Sequence, residues 1–323
     1  MPSKLEISPK TLLWLALILG LGWLVIRIRD ILTLLFVAFI FMSALRPSVE
    51  KLEGLKLPRF VAILGVYLVV ISILVMFGTL IFPPLVAQSV KLMANLPYYL
   101  RQTAPFINID IDTIISEFAP LSQNLARVTF SVVSDIVTIF TLAVFVFYFL
   151  LEIKKLEQYL EIFVGKESAR KIGGIIGLIE IRLGAWVRGE LTLGLIIGIT
   201  SYLGLTLLGV SYALPLALVA GVLEMVPIIG PIISAIPAVL VALTISPGLA
   251  LTVAALYFII QQLENNLIVP SVMQKAVGIP PLVTLLALMV GGRLGGTVGI
   301  ILAVPILLAV ETVLRELNIA KND

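Results

Sequence analysis

Apolar residues run along this chain in long blocks rather than at alternating positions, and short polar stretches separate the blocks. Crossing about 30 Å of hydrocarbon takes roughly 20 helical residues at 1.5 Å per residue. Blocks of that order fall at 11–26, 31–45, 60–82, 131–151, 190–209 and 247–262, and two longer ones occupy 212–245 and 281–314. The first two are short, with only Arg27, Ile28, Arg29 and Asp30 between them. The pattern predicts an all-α polytopic membrane protein of about eight transmembrane segments. The first apolar run follows Lys4 and Lys10 as a signal peptide would, but no small-residue cleavage site follows and further spans come at once, so it reads as a retained first span.

The two longest blocks carry the punctuation. In "GVLEMVPIIGPIISAIPAV", residues 221–239, Pro227, Gly230, Pro231 and Pro237 interrupt a run that also holds Glu224. Proline cannot donate to a helix ladder, and Gly230 between prolines marks a turn. "GGRLGG", residues 291–296, divides the second block in the same way and holds Arg293. Each block is too long for one untilted span, and its halves are too short to cross comfortably. A broken helix or a re-entrant hairpin fits, and irregular backbone at that depth must line water or be buried in protein. Two interrupted apolar blocks, each with an ionisable residue near its break, are the sequence pointer to a transporter's midplane site.

The expected organisation is therefore N-terminal transmembrane helices over 1–82, an extracytoplasmic amphipathic helical segment over 83–130 and a transmembrane helix over 131–151. A cytoplasmic amphipathic helical segment over 152–190 and a C-terminal transport core over 191–315 complete it. Pro83, Pro84, Pro97, Pro105 and Pro120 cut the first amphipathic segment, whose stripe of Ile111, Ile114, Ile115, Phe118, Leu121, Leu125 and Val128 is expected on the membrane surface or on another subunit. In the second, Ile172, Ile175, Ile176, Ile179 and Leu183 form the packed face of an otherwise solvated helix. Neither segment carries assigned chemistry.

Composition narrows the function. Hydrophobic residues make up 60% of the chain and charged ones 13%, against roughly 25% charged in soluble domains. The chain has no Cys and no His, which excludes a Cys/His zinc site, a redox dithiol and a His-based triad, so an enzyme is not expected and no cofactor is implied. The net charge of +3 is spread among loops, which argues against nucleic-acid binding. Placing the N-terminus inside puts 15 Lys and Arg on the cytoplasmic side and 5 outside, so both termini are expected in the cytoplasm.

Between Leu191 and Val310 only Glu224, Glu264, Lys275 and Arg293 are charged. A charge at bilayer depth costs at least about 2.5–3.5 kcal/mol on insertion scales, so such a residue usually faces a polar cavity. Within "QQLENNLIVP", residues 261–270, a helix puts Gln261, Glu264 and Asn265 on one face. That face suits a cation or a hydroxylated solute, and the plainer reading is a polar helix end among headgroups. Together with Asn266, these groups form the expected polar floor of a site, in which a carboxylate exchanges a proton for a cation. Arg293 would pair with a carboxylate or attract an anionic group. Other standouts read as ordinary: Glu311 and Arg315 as an ion pair four apart, Asp135 as interfacial, Trp14, Trp23 and Trp186 as belt anchors, and Lys275 as a loop residue reaching headgroups.

"VPIIGPIISAIPAVLVAL", "QQLENNLIVPSVMQKAVGIPPLVTLLAL", "GGRLGGTVGIILAVPI" and, nearer the N-terminus, "ALRPSVEKLEGLKLPRFVAIL" resemble the AI-2E family of bacterial transporters, the autoinducer-2 exporter family. The resemblance implies a multi-pass protein of the bacterial inner membrane that forms homo-oligomers, pentamers among its members. It also implies secondary transport, either export of a small solute such as autoinducer-2 or exchange of Na+ or Li+ for H+. Carried over by position, the motif residues are Glu224, Pro227, Gly230, Pro231, Gln262, Glu264, Asn265, Asn266, Pro270 and Arg293. The rival readings are a non-transporting oligomeric scaffold, whose polar groups would cement subunit contacts, and an ion channel.

Overall fold

This computed structural model describes residues 9–81, 136–227, 229–273 and 279–322, with short pieces between 83 and 95. The stripe expected at 111–128, Asp135 and Lys275 lie outside the described residues.

Every regular element among the described residues is helical. Helices α1 (Pro9–Arg27) and α2 (Arg29–Gly54) are separated by Ile28 alone, and α3 (Arg59–Met76) runs into a wide π turn at Phe77–Ile81. Next come α4 (Ile136–Glu152), the short α5 (Leu156–Val164) and α6 (Lys166–Leu207). The C-terminal part holds α7 (Ala213–Leu223), α8 (Ile229–Leu243), α9 (Pro247–Leu263), a π turn at Glu264–Ile268, α10 (Val269–Met273) and α11 (Pro281–Asn322). Six helices among the described residues are long and apolar enough to span a bilayer, and α7 and α8 are shorter apolar helices. The chain is thus an all-α polytopic membrane protein.

Helix α6 runs without interruption through position 190, where the sequence suggested a segment boundary. Its 42 residues make a rod of about 63 Å. Nothing in 166–207 removes a backbone donor, because the stretch contains no proline, so the change from charged to apolar composition leaves the ladder intact. Gly165 (φ 77°) starts the rod, and Gly209 (φ 71°) followed by left-handed Tyr212 (φ 62°) ends it and turns the chain into α7.

Both interrupted blocks fold back on themselves. At the first, a Cβ on Gly230 would collide with the Leu223 carbonyl, although seven residues of continuous helix would carry the chain about 10 Å onward. At the second, Gly296 (φ 58°, ψ −139°) breaks the helical path inside α11. Gly291 and Gly299 then meet backbone to backbone, and Ala303 packs on Gly291 as well, which is the register of an antiparallel hairpin. The break thus falls at Gly296 alone, and Gly291 and Gly292 belong to the first arm. That arm (281–295), α7 and α8 each fall short of the roughly 30 Å core, whereas the second arm (297–322), about 39 Å long, can cross it.

Three buried clusters hold the helices together. One joins α6 to α9 through Ile197, Leu216, Val241 and Tyr257; a second joins α2, α6 and α11 through Ile40, Leu183, Trp186 and Leu308. The third packs α2, α3 and α4 around Met42, Ile63 and Leu150. Close approach is made by glycine: a Cβ on Gly184 would strike the Ser43 carbonyl of α2, and one on Gly194 would lie 2.6 Å from the Gly221 carbonyl of α7.

Charged residues tie one end of the bundle. Arg46 of α2 donates to Glu180 of α6 at 2.5 Å and to Glu50 at 2.6 Å. Arg182 of α6 donates to Glu311 of α11 at 2.6 Å, and Glu311 also takes Arg315 at 2.5 Å, so the expected local pair is part of a link between helices. Removing one partner of a buried ion pair costs about 3–5 kcal/mol. Arg46 retains Glu50 and is partly solvated, so Glu180→Ala is expected to cost only about 1–2 kcal/mol. Thermal unfolding in detergent checks this, and Arg46→Met with Glu180→Leu should recover most of the loss.

Candidate functional site

Helix α7 lies antiparallel on α6, with Gly221 beside Gly194 and Ala217 beside Gly198. That register brings the end of α7, where Glu224 caps the helix, level with Glu190 of α6. The turn that follows satisfies its own backbone. Glu224 N–H donates to the Ala220 carbonyl at 3.2 Å, Val226 to Leu223 at 2.9 Å, Ile229 to Pro227 at 2.8 Å and Gly230 to Val226 at 2.9 Å. Pro227 has no donor to leave unpaired, and Gly230 has no side chain to block the return of the chain. Pro231 sits at the start of α8, where a missing N–H is tolerated, and its carbonyl accepts the Ser234 hydroxyl at 2.9 Å. The proline and glycine cluster is therefore the construction of a hairpin tip with a carboxylate on it.

Glu264 reaches the same place from α9. Pro270 cannot donate to the Asn266 carbonyl four residues earlier, and the ladder widens into the π turn at Glu264–Ile268. The extra residue in that turn separates side chains that a regular helix would align. Glu264 turns inward and is 6% exposed, while Gln262, Asn265, Asn266 and Pro270 are exposed on the single chain. Asn266 donates back to the Gln262 carbonyl at 2.8 Å.

Of the residues expected in the site, Glu224, Glu264 and Gln261 come together. Glu224 (4% exposed) and Glu264 lie within hydrogen-bonding reach of each other, and Gln261 Nε2 donates to Glu264 Oε2 at 3.2 Å. Glu224 Oε2 is buried without a hydrogen-bond partner. Asn265 and Asn266 do not join the carboxylates. Arg293 is exposed in the first arm of the α11 hairpin, and among the described residues it makes no ion pair, so the structure does not supply the expected pairing with a carboxylate.

The structure adds residues that the sequence did not single out. Glu190 is 6% exposed, lies within hydrogen-bonding reach of the Trp186 indole N–H one turn earlier, and is close enough to Glu224 and Glu264 for the charges to interact. Trp186 is buried at 3% exposure and is not the belt anchor expected of it; Trp14 and Trp23 are exposed, at 65% and 67%. The signal in the sequence was the spacing of four between Trp186 and Glu190, directly ahead of an apolar run. Ser201 and Tyr257 place two further buried hydroxyls between α6 and α9, and neither completes a hydrogen bond. Among the described residues, no group of three or more acidic side chains is close enough to cage a metal ion. The arrangement is a carboxylate pair at a hairpin tip, with a third carboxylate alongside and, among the described residues, no basic counter-charge.

A polytopic helical bundle agrees with what similarity to other proteins shows. The chain is 29% identical over 301 residues to the putative transport protein YueF of Bacillus subtilis (strain 168), covering 86% of this chain and 81% of that one. It is 28% identical over 304 residues to the putative transport protein YrrI of the same organism, covering 88% and 85%. With the AI-2 transport protein TqsA of Escherichia coli (strain K12) it shares 25% identity over 331 residues, covering 95% and 93%. The family described as AI-2E family transporter matches residues 12–319, hairpins and carboxylates included, and the chain belongs to that family.

Proposed function

We propose that this protein is a secondary transporter whose Glu224–Glu264 pair is the loading site. The carrying observation is the pair itself: two buried carboxylates facing each other at a hairpin tip, without a basic partner among the described residues, one of them with an oxygen that none of those residues hydrogen-bonds. Two ionised carboxylates in that position repel, so the site holds a proton or takes up a cation. Exchange of H+ for Na+ or Li+ follows directly. Proton-coupled export of a small polar solute uses the same groups, and a relative named for AI-2 transport supports that branch. Backbone that turns at this depth is tolerated where it lines a cavity, which favours alternating access over a static pore.

The protein works as a homo-oligomer in the bacterial inner membrane. Gln262, Asn265 and Asn266 support this, because they are exposed on the single chain within a long apolar helix and are best covered by a second copy. The non-transporting scaffold draws on the same observation.

Purified protein in proteoliposomes separates these readings. Protein-dependent proton flux driven by a Na+ or Li+ gradient, or efflux of autoinducer-2 coupled to a pH gradient, is expected. No flux of any of these in either direction, from a correctly assembled oligomer, would sink the transporter reading.

The charge asymmetry of the loops supports an orientation with both termini in the cytoplasm and 83–130 outside. The chain has no native cysteine, so a single Asn108→Cys is expected to react with an impermeant maleimide in intact cells. Reaction only after permeabilisation overturns that orientation.

A further inference from the structure

The carboxylate pair has a buried neighbour that the loading reaction does not by itself require. Glu190 comes from the middle of α6, Glu224 from the α7–α8 tip and Glu264 from the π turn after α9, so three separate elements deliver acids to one level of the bundle. The backbone contact between Gly194 and Gly221 fixes that level for Glu190 and Glu224.

The groups facing Glu190 are the Trp186 N–H on its own helix, Glu264 from the π turn and Glu224 from the hairpin tip. Basic residues nearby on α6 and α2 are occupied elsewhere: Arg188 donates to the Ser43 and Ala44 carbonyls at 3.3 Å each, Arg182 to Glu311 and Arg46 to Glu180. A buried acid kept for structure alone is normally balanced by a cation or by several donors. Glu190 has one neutral donor and two acids. The three acids are too spread to cage a metal, so Glu190 acts on the pair through charge rather than by shared ligation. Glu224 Oε2, buried and unpartnered beside them, is the position left for what the site binds.

We propose that Glu190 is a positioning residue of the transport site: it shares proton occupancy with the Glu224–Glu264 pair through Glu264, and so sets the pH at which that pair loads and releases. Each acid takes up and releases its own proton, the charge on one alters the proton affinity of the others, and the three acids titrate as one coupled set. Its role in transport rests on the transporter reading above; the coupled titration itself does not.

Trp186 supplies a reporter, because the chain has only three tryptophans and Trp14 and Trp23 lie exposed on α1. In Trp14→Phe/Trp23→Phe protein in nanodiscs, Trp186 emission is expected to change with pH in one transition. Glu190→Gln should remove that transition, and Glu264→Gln should move its midpoint by about one pH unit. Emission that is flat from about pH 4 to 9 in the parent background, or a midpoint unmoved by Glu264→Gln, overturns the coupling.

In proteoliposomes Glu190→Gln should retain its maximal rate within about threefold while the pH of half-maximal transport moves by about one unit toward acid, since a neighbouring negative charge is gone. An unchanged pH profile in a variant whose parent transports overturns the role in transport. A parent that does not transport fails the functional reading instead, and the emission titration still decides whether Glu190 shares protons with the pair.

Discussion

Glu224→Gln and Glu264→Gln are each expected to reduce transport by about 10- to 100-fold while leaving assembly intact. Gln keeps the size of the side chain and one acceptor oxygen but can neither carry charge nor take up and release a proton. A hydrogen bond to a charged group is worth about 1.5–3 kcal/mol, and each 1.4 kcal/mol is a factor of ten, which sets the range. Stability should not follow activity. Both carboxylates are buried without a basic partner, so removing a charge relieves repulsion, and the melting temperature is expected to hold or rise. Transport in proteoliposomes, measured beside oligomer mass in detergent, tests both halves of the expectation. If both variants match the parent in rate and in pH profile, these carboxylates are not the loading site. If transport is absent throughout and the Gln variants weaken the oligomer, the scaffold reading gains.

The second large effect concerns the hairpin in α11. A Cβ at Gly299 would overlap the Gly291 backbone, and neither arm can yield a carbonyl by rotating a side chain. Gly299→Leu is expected to cost about 3 kcal/mol or more, the upper end for overpacking, because backbone must move. Gly295→Ala, one residue before the break, has nothing within 4 Å of the added methyl and serves as the control. Thermal unfolding in detergent should separate the two variants clearly. Equal melting temperatures would mean that the arms do not meet as described.

Much of this was legible in the chain, for reasons that can be located. The two overlong apolar blocks announced their breaks because run length and proline or glycine punctuation are both local properties. The sequence left open whether they reverse as hairpins or continue as broken helices, since the choice rests on Gly230 against Leu223 and on Gly291 against Gly299, contacts that no periodicity encodes. Glu224 and Glu264 were found because charge is rare in their surroundings. Asn265 was misplaced for a local reason: a regular helical period aligns it with Gln261 and Glu264, and the π turn forced at Pro270 changes the period where it matters. Glu190 was overlooked because it is the last residue of a charge-rich stretch, where one more acid draws no notice. Arg293 was included for its rarity, its place in the glycine-rich break and the family resemblance, and its exposure shows that none of these fixes direction.

The length of α6 has a mechanical consequence. The rod is pinned where Gly184 rests on the Ser43 carbonyl, with about 27 Å of helix on the Lys166 side and about 35 Å on the Leu207 side. Nearly equal arms about that contact make a lever, restrained on the Lys166 side by the Arg46–Glu180 and Arg182–Glu311 pairs. The arm toward Lys166 carries α5, and the other carries Glu190 and the α7 half of the carboxylate hairpin. Glu190 lies about 9 Å past that contact, so a tilt that displaces the Lys166 end reappears at the acids reversed and at about a third of the amplitude.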